Sequence, residues 1–179
     1  MLVALSAAAL LACSNRFEWR EVRVNDAATV SLPGRPQSVT RDVTVDGQPV
    51  SMTNWSTGVG PTMFAVGLAK LPPALLADAA ARERTLAYFR DGLVRNIGGT
   101  VVAQKTVPLP LPPGSPRKLL ASESVEAVGT SGPDARKSKL AARFFIVDDQ
   151  LFQVVALGAE GELSPEVLDT FFTSFRPAP

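Results

Sequence analysis

Residues 139–157, KLAARFFIVDDQLFQVVAL, place two apolar runs on either side of the acidic pair Asp148-Asp149. Successive side chains of a strand point to opposite faces, so Phe144-Phe145-Ile146-Val147 is apolar on both faces, as is the second run with Phe152, Val154 and Val155. Strands of this kind lie in the middle of a sheet that is covered on each side. The acidic pair indicates a hairpin turn rather than a cation site, because no third oxygen ligand follows at a regular spacing. The stretch therefore predicts a central hairpin between two covering layers.

Further strands are predicted on both sides of this hairpin in the sequence. Residues 19–24 and 29–32 alternate apolar and polar side chains, as half-buried strands do. Residues 39–45 and 50–55 flank Asp46-Gly47, a strong hairpin signal. The remaining predicted strands cover residues 63–71, 100–107 and 117–128. Since hairpins join neighbouring strands, the sheet should be largely antiparallel.

Two helices are predicted. The longer one opens at Pro72-Pro73 and stops at Gly98-Gly99, and its apolar stripe consists of Leu75, Ala79, Leu86, Phe89, Leu93 and Ile97. The shorter one starts at Ser164-Pro165-Glu166 with a hydroxyl cap, and its buried stripe consists of Leu168, Phe171, Phe172 and Phe175. The expected fold class is α+β: a largely antiparallel β-sheet flanked by one long central helix and a C-terminal helix.

Cys13 is the only cysteine and ends an apolar run that begins at Leu2. Leu10-Leu11-Ala12-Cys13 has the form of a bacterial lipobox, in which the signal is cut before the cysteine and the thiol receives a diacylglycerol. The run is too short to span a bilayer, which takes about 20 residues, but it suits a signal peptide. Two alternatives stay open, namely a signal that is uncleaved or unlipidated and a core element in which Cys13 is buried.

The predicted organisation is a lipoprotein signal peptide at residues 1–12, a tether at 13–18 and a single domain at 19–179. No Lys or Arg precedes Cys13, and we expect this to reflect a translation start upstream of Met1. Ser14 follows the cysteine, and in typical Gram-negative sorting a residue other than Asp favours the outer membrane. The predicted location is therefore the bacterial cell envelope, facing the periplasm and held by a lipid anchor.

The composition narrows the chemistry that this chain can perform. It contains no histidine, which removes His-based triads and His-ligated metals. The formal net charge of +1 argues against a nucleic-acid partner, because binding phosphates needs a basic surplus. Carboxylate chemistry, a lysine nucleophile or a Ser–Lys pair stay open, but no motif indicates one. We therefore predict no catalytic residue, no cofactor and no metal ligand.

Three segments carry a resemblance to a known fold family. They are Val30-Ser31-Leu32-Pro33-Gly34-Arg35-Pro36, the strand that runs from Phe64 to Pro72 ahead of the main helix, and Phe171-Phe172-Thr173-Ser174-Phe175-Arg176 at the C-terminus. Together with the apolar hairpin, these segments resemble PsbP-like, Mog1-like and DcrB-like domains over residues 19–176. The resemblance implies a small domain that binds or helps assemble other proteins beside a membrane. One branch binds metals through histidine and carboxylates, and the absence of histidine here means that no metal site is carried over.

Two features are candidate binding surfaces. The basic run Arg136, Lys137, Lys139 and Arg143, with Arg117 and Lys118 earlier, could contact anionic lipid or an acidic partner; the alternative is a solvated strand edge protected by charge. Trp55 would mark a binding spot if exposed, and the alternative is packing under the adjacent loop.

Three functions follow as hypotheses. The first is a non-catalytic envelope lipoprotein that binds a protein or another envelope component while tethered to the membrane through Cys13. The second is an envelope hydrolase that uses serine, lysine or carboxylates. The third is a carrier of an apolar ligand held between the sheet and a helix.

Overall fold

The computed structural model describes residues 17–132 and 134–179. The strands are β1 (Trp19–Val24), β2 (Ala28–Pro33), β3 (Gln37–Val45), β4 (Gln48–Val59), β5 (Thr62–Lys70), β6 (Thr100–Lys105), β7 (Leu119–Ser131), β8 (Arg136–Val147), β9 (Gln150–Ala159) and β10 (Arg176–Pro177). The helices are α1 (Ala79–Asn96) and α2 (Pro165–Ser174), and short 3-10 turns cover Pro73–Leu75 and Glu160–Glu162.

Seven strands form one sheet in the order β3-β4-β5-β9-β8-β7-β6. Every pairing in it is antiparallel. A second sheet has three strands in the order β1-β2-β10, and it is antiparallel too. The α+β class and the largely antiparallel sheet are therefore confirmed.

The apolar hairpin forms the middle of the large sheet. β8 lies between β7 and β9, and β9 lies between β8 and β5. Asp148 begins the turn with a φ of 53°, a left-handed conformation that Asp tolerates better than most residues. Phe145 and Phe152 enter one buried cluster while Phe144 and Ile146 enter another, so both faces are covered as predicted.

One face of the large sheet is covered by α1, which contacts β7 and β8 and buries Leu86 and Phe89. This helix begins later than predicted. Asp78 has an extended backbone and accepts a hydrogen bond from Ala81 N at 2.7 Å, which makes it the N-cap. The stretch after Pro72 forms only a 3-10 turn. Because of the later start Ala79 is exposed, and Thr85 lies in the buried stripe instead.

The other face is covered by the three-stranded sheet and α2. Its core is built around an aromatic cluster in which Phe171 lies 5.0 Å from Phe64 and 6.3 Å from Trp19, measured between ring centroids. Phe17, which the sequence places in the tether at 13–18, is only 6% exposed and meets Phe64 edge to face. In the predicted stripe of α2, Phe171, Phe172 and Phe175 are buried, whereas Leu168 is only partly buried. Phe175 follows the last residue of the helix as its C-cap.

Residues 1–16 lie outside the described part of the chain, so the signal peptide, the lipobox and Cys13 have no structural description. Among residues 17–132 and 134–179, neither helix has the length and hydropathy needed to cross a bilayer.

Candidate functional site

Three polar side chains form a row on the α2 side of the large sheet. In the register of the sheet, Lys105 on β6 lies opposite Ser124 on β7, and Ser124 lies opposite Arg143 on β8. Directly opposed residues of an antiparallel sheet share a face, with Cβ atoms about 4.5–5.5 Å apart. The face is fixed by their neighbours: Val125 and Ala127 pack in the cluster under α1, so Ser124 points the other way. We call this set the Lys105–Ser124–Arg143 row.

Arg143 is the most deeply placed member of the row. It is half-buried, and its guanidinium lies over the ring of Phe172 on α2, with Cζ 4.5 Å from the ring centroid. Its Nε is fully buried and has no hydrogen-bond partner among the described residues. A buried donor without an acceptor costs about 1–3 kcal/mol, so this position is unfavourable for the stability of the fold.

The other two members also keep their polar atoms available. Ser124 is half-buried and Lys105 is exposed. Within the described parts of the chain, neither side chain has a hydrogen bond or an ion pair. The row therefore presents an ammonium, a hydroxyl and a guanidinium whose outward donors have no acceptor among the described residues.

The surrounding charges leave the row positive. Burial lowers the pKa of Arg143 from its ordinary value, and the nearby charge of Asp169 on α2 acts in the opposite direction. Asp169 attracts the guanidinium without forming an ion pair with it in the described structure. Lys139 and Glu126, which lie beside the row, neutralise each other through a 2.8 Å contact between Nζ and Oε2.

A cleft of about 560 Å³ opens at the β6 edge of the sheet, between the first half of α1 and strands β6 and β7. Its lining includes Lys105 and Ser122, although the register places both residues on the α2 side of the sheet. Glu123 lies in its wall, and both carboxylate oxygens accept from Nη1 of Arg90 at 3.2 and 3.3 Å. Burial acts to lower the pKa of Arg90, but hydrogen bonds and charges from Asp91 and Glu123 raise it overall. The cleft is therefore bordered by an ion pair that joins α1 to the sheet.

The basic run from the sequence does not form one surface. Arg136 pairs with Asp134 at 3.1 Å and Lys139 pairs with Glu126, while Arg143 stacks on Phe172. The interpretation of the run as a charge-protected strand edge is wrong, because β8 is an interior strand. The interpretation of the run as a surface for anionic lipid or an acidic partner stays a prediction. Only Arg143 belongs to the candidate site.

Arg117 joins three segments of the chain through hydrogen bonds. Its guanidinium donates to Asp148 Oδ2 at 3.0 Å, to Gln150 Oε1 and to the carbonyl of Ala178. These bonds connect the loop before β7, the β8–β9 turn and the C-terminal segment. The acidic pair at that turn behaves as the sequence predicts, because Asp148 is occupied by Arg117 and by the N–H of Lys118.

Trp55 packs against the core between the two sheets, opposite Val66 on β5. It is half-buried. Packing of Trp55 against the core is therefore confirmed. Its predicted position under the adjacent loop stays a prediction.

Sequence reasoning missed Lys105 and Ser124 as site residues. Each is an ordinary polar residue on a half-exposed strand, and the alternating pattern assigns them only to a face. The one available signal was the charge of Arg143 inside the apolar run 139–147, where a strand covered on both faces should not hold a cation.

Comparison with known proteins does not assign this chain to a family. No protein-family model and no curated protein matches the sequence. Among solved structures, a protein of unknown function from Pseudomonas aeruginosa matches 81% of this chain and 85% of its own, with 10% sequence identity and a TM-score of 0.37. A likeness this slight carries no inference about family or function.

Proposed function

We propose that this protein is a non-catalytic binding or assembly module of the bacterial cell envelope, tethered to the membrane through a lipidated Cys13. The tethering part of the proposal depends on Leu10-Leu11-Ala12-Cys13 and on the apolar run before it. Its proposed orientation is towards the periplasm, with the outer membrane favoured by Ser14. The resemblance to PsbP-like, Mog1-like and DcrB-like domains belongs to the same proposal.

The observation that carries the binding role is the Lys105–Ser124–Arg143 row. A partly buried guanidinium whose Nε has no acceptor among the described residues calls for an explanation beyond the stability of the fold. A ligand or partner that supplies acceptors would satisfy the outward donors of the row. The proposed role is therefore recognition of another molecule at this face.

Two contacts favour binding over hydrolysis. The carboxylate of Glu123, which lies in the wall of the cleft, accepts at both oxygens from Arg90. The hydroxyl of Ser122, in the same cleft lining, donates to the carbonyl of Val107 at 2.6 Å. Because the Ser122 hydroxyl donates to a backbone carbonyl and the Glu123 carboxylate pairs with Arg90, both groups stabilise the fold.

The tether is tested by the mass and the membrane association of the mature chain. Expressed in a Gram-negative host, the wild-type chain should begin at Cys13, carry acyl groups and fractionate with membranes. A single acyl chain binds only marginally, whereas two or three anchor stably. Cys13→Ala should give an uncut form without the acyl mass, and Ser14→Ala serves as the matched control. Intact-mass spectrometry that finds an unmodified Cys13 in membrane-extracted protein would refute the tether.

A further inference from the structure

We infer that the Lys105–Ser124–Arg143 row binds an oxyanion group, the carboxylate or phosphate of a soluble ligand or of a lipid headgroup. This inference deepens the proposed binding function and rests on it for biological context. Its physical basis lies in the described residues alone.

The chemical match comes from the three donor types. A guanidinium and an ammonium supply charge-assisted hydrogen bonds, which are shorter and about twice as strong as neutral ones. Ser124 lies between them in the register and adds a neutral hydroxyl donor. An oxyanion is the group that accepts from all three at once, and its negative charge would match two cations that have no ion pair in the described structure.

The position of Arg143 fits a site that is built before its ligand arrives. Phe172 supports one face of the guanidinium at 4.5 Å, so the planar group loses less freedom on binding than an exposed arginine would. The half-buried surroundings weaken competition from water and salt. Asp169 attracts the same guanidinium and is the acid that a ligand must outcompete.

The unpaired Nε of Arg143 suggests the substitution that tests the inference. Because Nε of Arg143 is buried without an acceptor, replacing the residue by methionine removes an unsatisfied donor and keeps an apolar stem of similar length. Arg143→Met should therefore keep the fold at least as stable as wild type while it weakens oxyanion binding. A variant that folds well and loses one property separates a binding role from a structural one.

The experiment titrates the full chain, carrying Cys13→Ser so that no acyl group contributes, with sodium phosphate and sodium acetate at constant ionic strength. The readout is the ¹⁵N–¹H resonance of Arg143 Nε, identified by its absence in Arg143→Met. Saturable shifts at millimolar anion are expected, and affinity measured by calorimetry should fall about 10- to 100-fold in Arg143→Met, as the loss of a charge-assisted bond predicts. Asp169→Asn should bind the anion more tightly. Lys137→Gln removes one positive charge, as Arg143→Met does, but at an exposed position of β8, and it should bind as wild type does.

Vesicles distinguish the two sources of the oxyanion. Binding to phosphatidylglycerol vesicles but not to phosphatidylcholine vesicles, abolished by Arg143→Met, would assign the group to a lipid headgroup. Binding of free phosphate or acetate without vesicle binding would assign it to a soluble ligand. The inference is overturned if no anion shifts the resonance, or if Lys137→Gln weakens binding as much as Arg143→Met does. It then fails while the lipid tether still stands, because the mass of Cys13 is measured independently.

Discussion

Replacing Phe171 by alanine tests how the second layer is attached to the large sheet. Phe171 is fully buried on α2 and contacts the rings of Trp19, Phe64 and Phe172 at centroid distances of 6.3, 5.0 and 5.3 Å. These partners belong to β1, β5 and α2 itself, so this one ring joins α2 and the small sheet to the large sheet.

The expected loss of stability is large. Emptying a buried phenylalanine site costs about 3–5 kcal/mol, and we expect the loss for Phe171→Ala to fall in that range. With a urea m-value of about 2 kcal/mol/M, the unfolding midpoint should fall by roughly 1.5–2.5 M. For a domain of this size, the same loss lowers Tm by about 6–20 °C.

The assay is urea unfolding followed by tryptophan fluorescence and far-UV circular dichroism, with coincident transitions as the check on two-state behaviour. Leu168→Ala on the same helix is the matched control: it makes the same kind of truncation at a partly buried position and should cost clearly less. A loss below about 1 kcal/mol for Phe171→Ala would refute the reasoning, because a buried aromatic that joins two layers cannot be removed at so small a cost. It would mean that α2 is peripheral.

Two further predictions concern glycine packing and pH. A Cβ at Gly129 would lie 2.4 Å from the backbone oxygen of Ile97, so Gly129→Ala should destabilise the fold by about 1–3 kcal/mol. Gly161→Ala is the control: a Cβ there meets nothing within 4 Å, and the unfolding free energy should change by less than about 0.5 kcal/mol. Burial acts to raise the pKa of Asp148, but hydrogen bonds and charges from Arg117 and Lys118 lower the pKa overall from its ordinary value of 3.8. A carboxyl whose folded pKa is depressed contributes stability above its unfolded pKa and loses it as pH falls through the folded value. Asp148→Asn should therefore lower stability at neutral pH and flatten its decline below about pH 4 in urea titrations; an unchanged acid limb would contradict the assignment.

The strands and the last helix could be predicted from local patterns because each pattern has a direct physical cause. Asp46-Gly47 makes a hairpin turn with φ values of 47° and 77°, which few other residue pairs adopt. Ser164 caps α2 by accepting from Val167 N, and Pro165 occupies the first helical turn. Both signals act over four residues or fewer, so the chain carries them without help from tertiary contacts.

The start of α1 could not be predicted in the same way. Pro72-Pro73 and Asp78 are both good helix-start signals, and the sequence pattern offers no means to rank them. The structure selects Asp78, whose carboxylate caps the helix, while Leu75 in the preceding 3-10 turn reaches the same buried cluster as Leu86. Packing of the whole segment on the sheet decided between two locally acceptable starts.

The sequence by itself determined the class of the fold, because apolar residues on both faces of 139–157 require a central hairpin with a layer on each side. Only the tertiary structure decided which polar residues meet. Lys105, Ser124 and Arg143 become neighbours through the register of β6, β7 and β8, and the bulge between Val101 and Ala103 helps to set that register. Periodicity assigns a residue to a face of its own strand, but the residue opposite it depends on turn geometry, bulges and the packing of all layers together. For that reason the hairpin could be inferred from one stretch of chain, and the row could not.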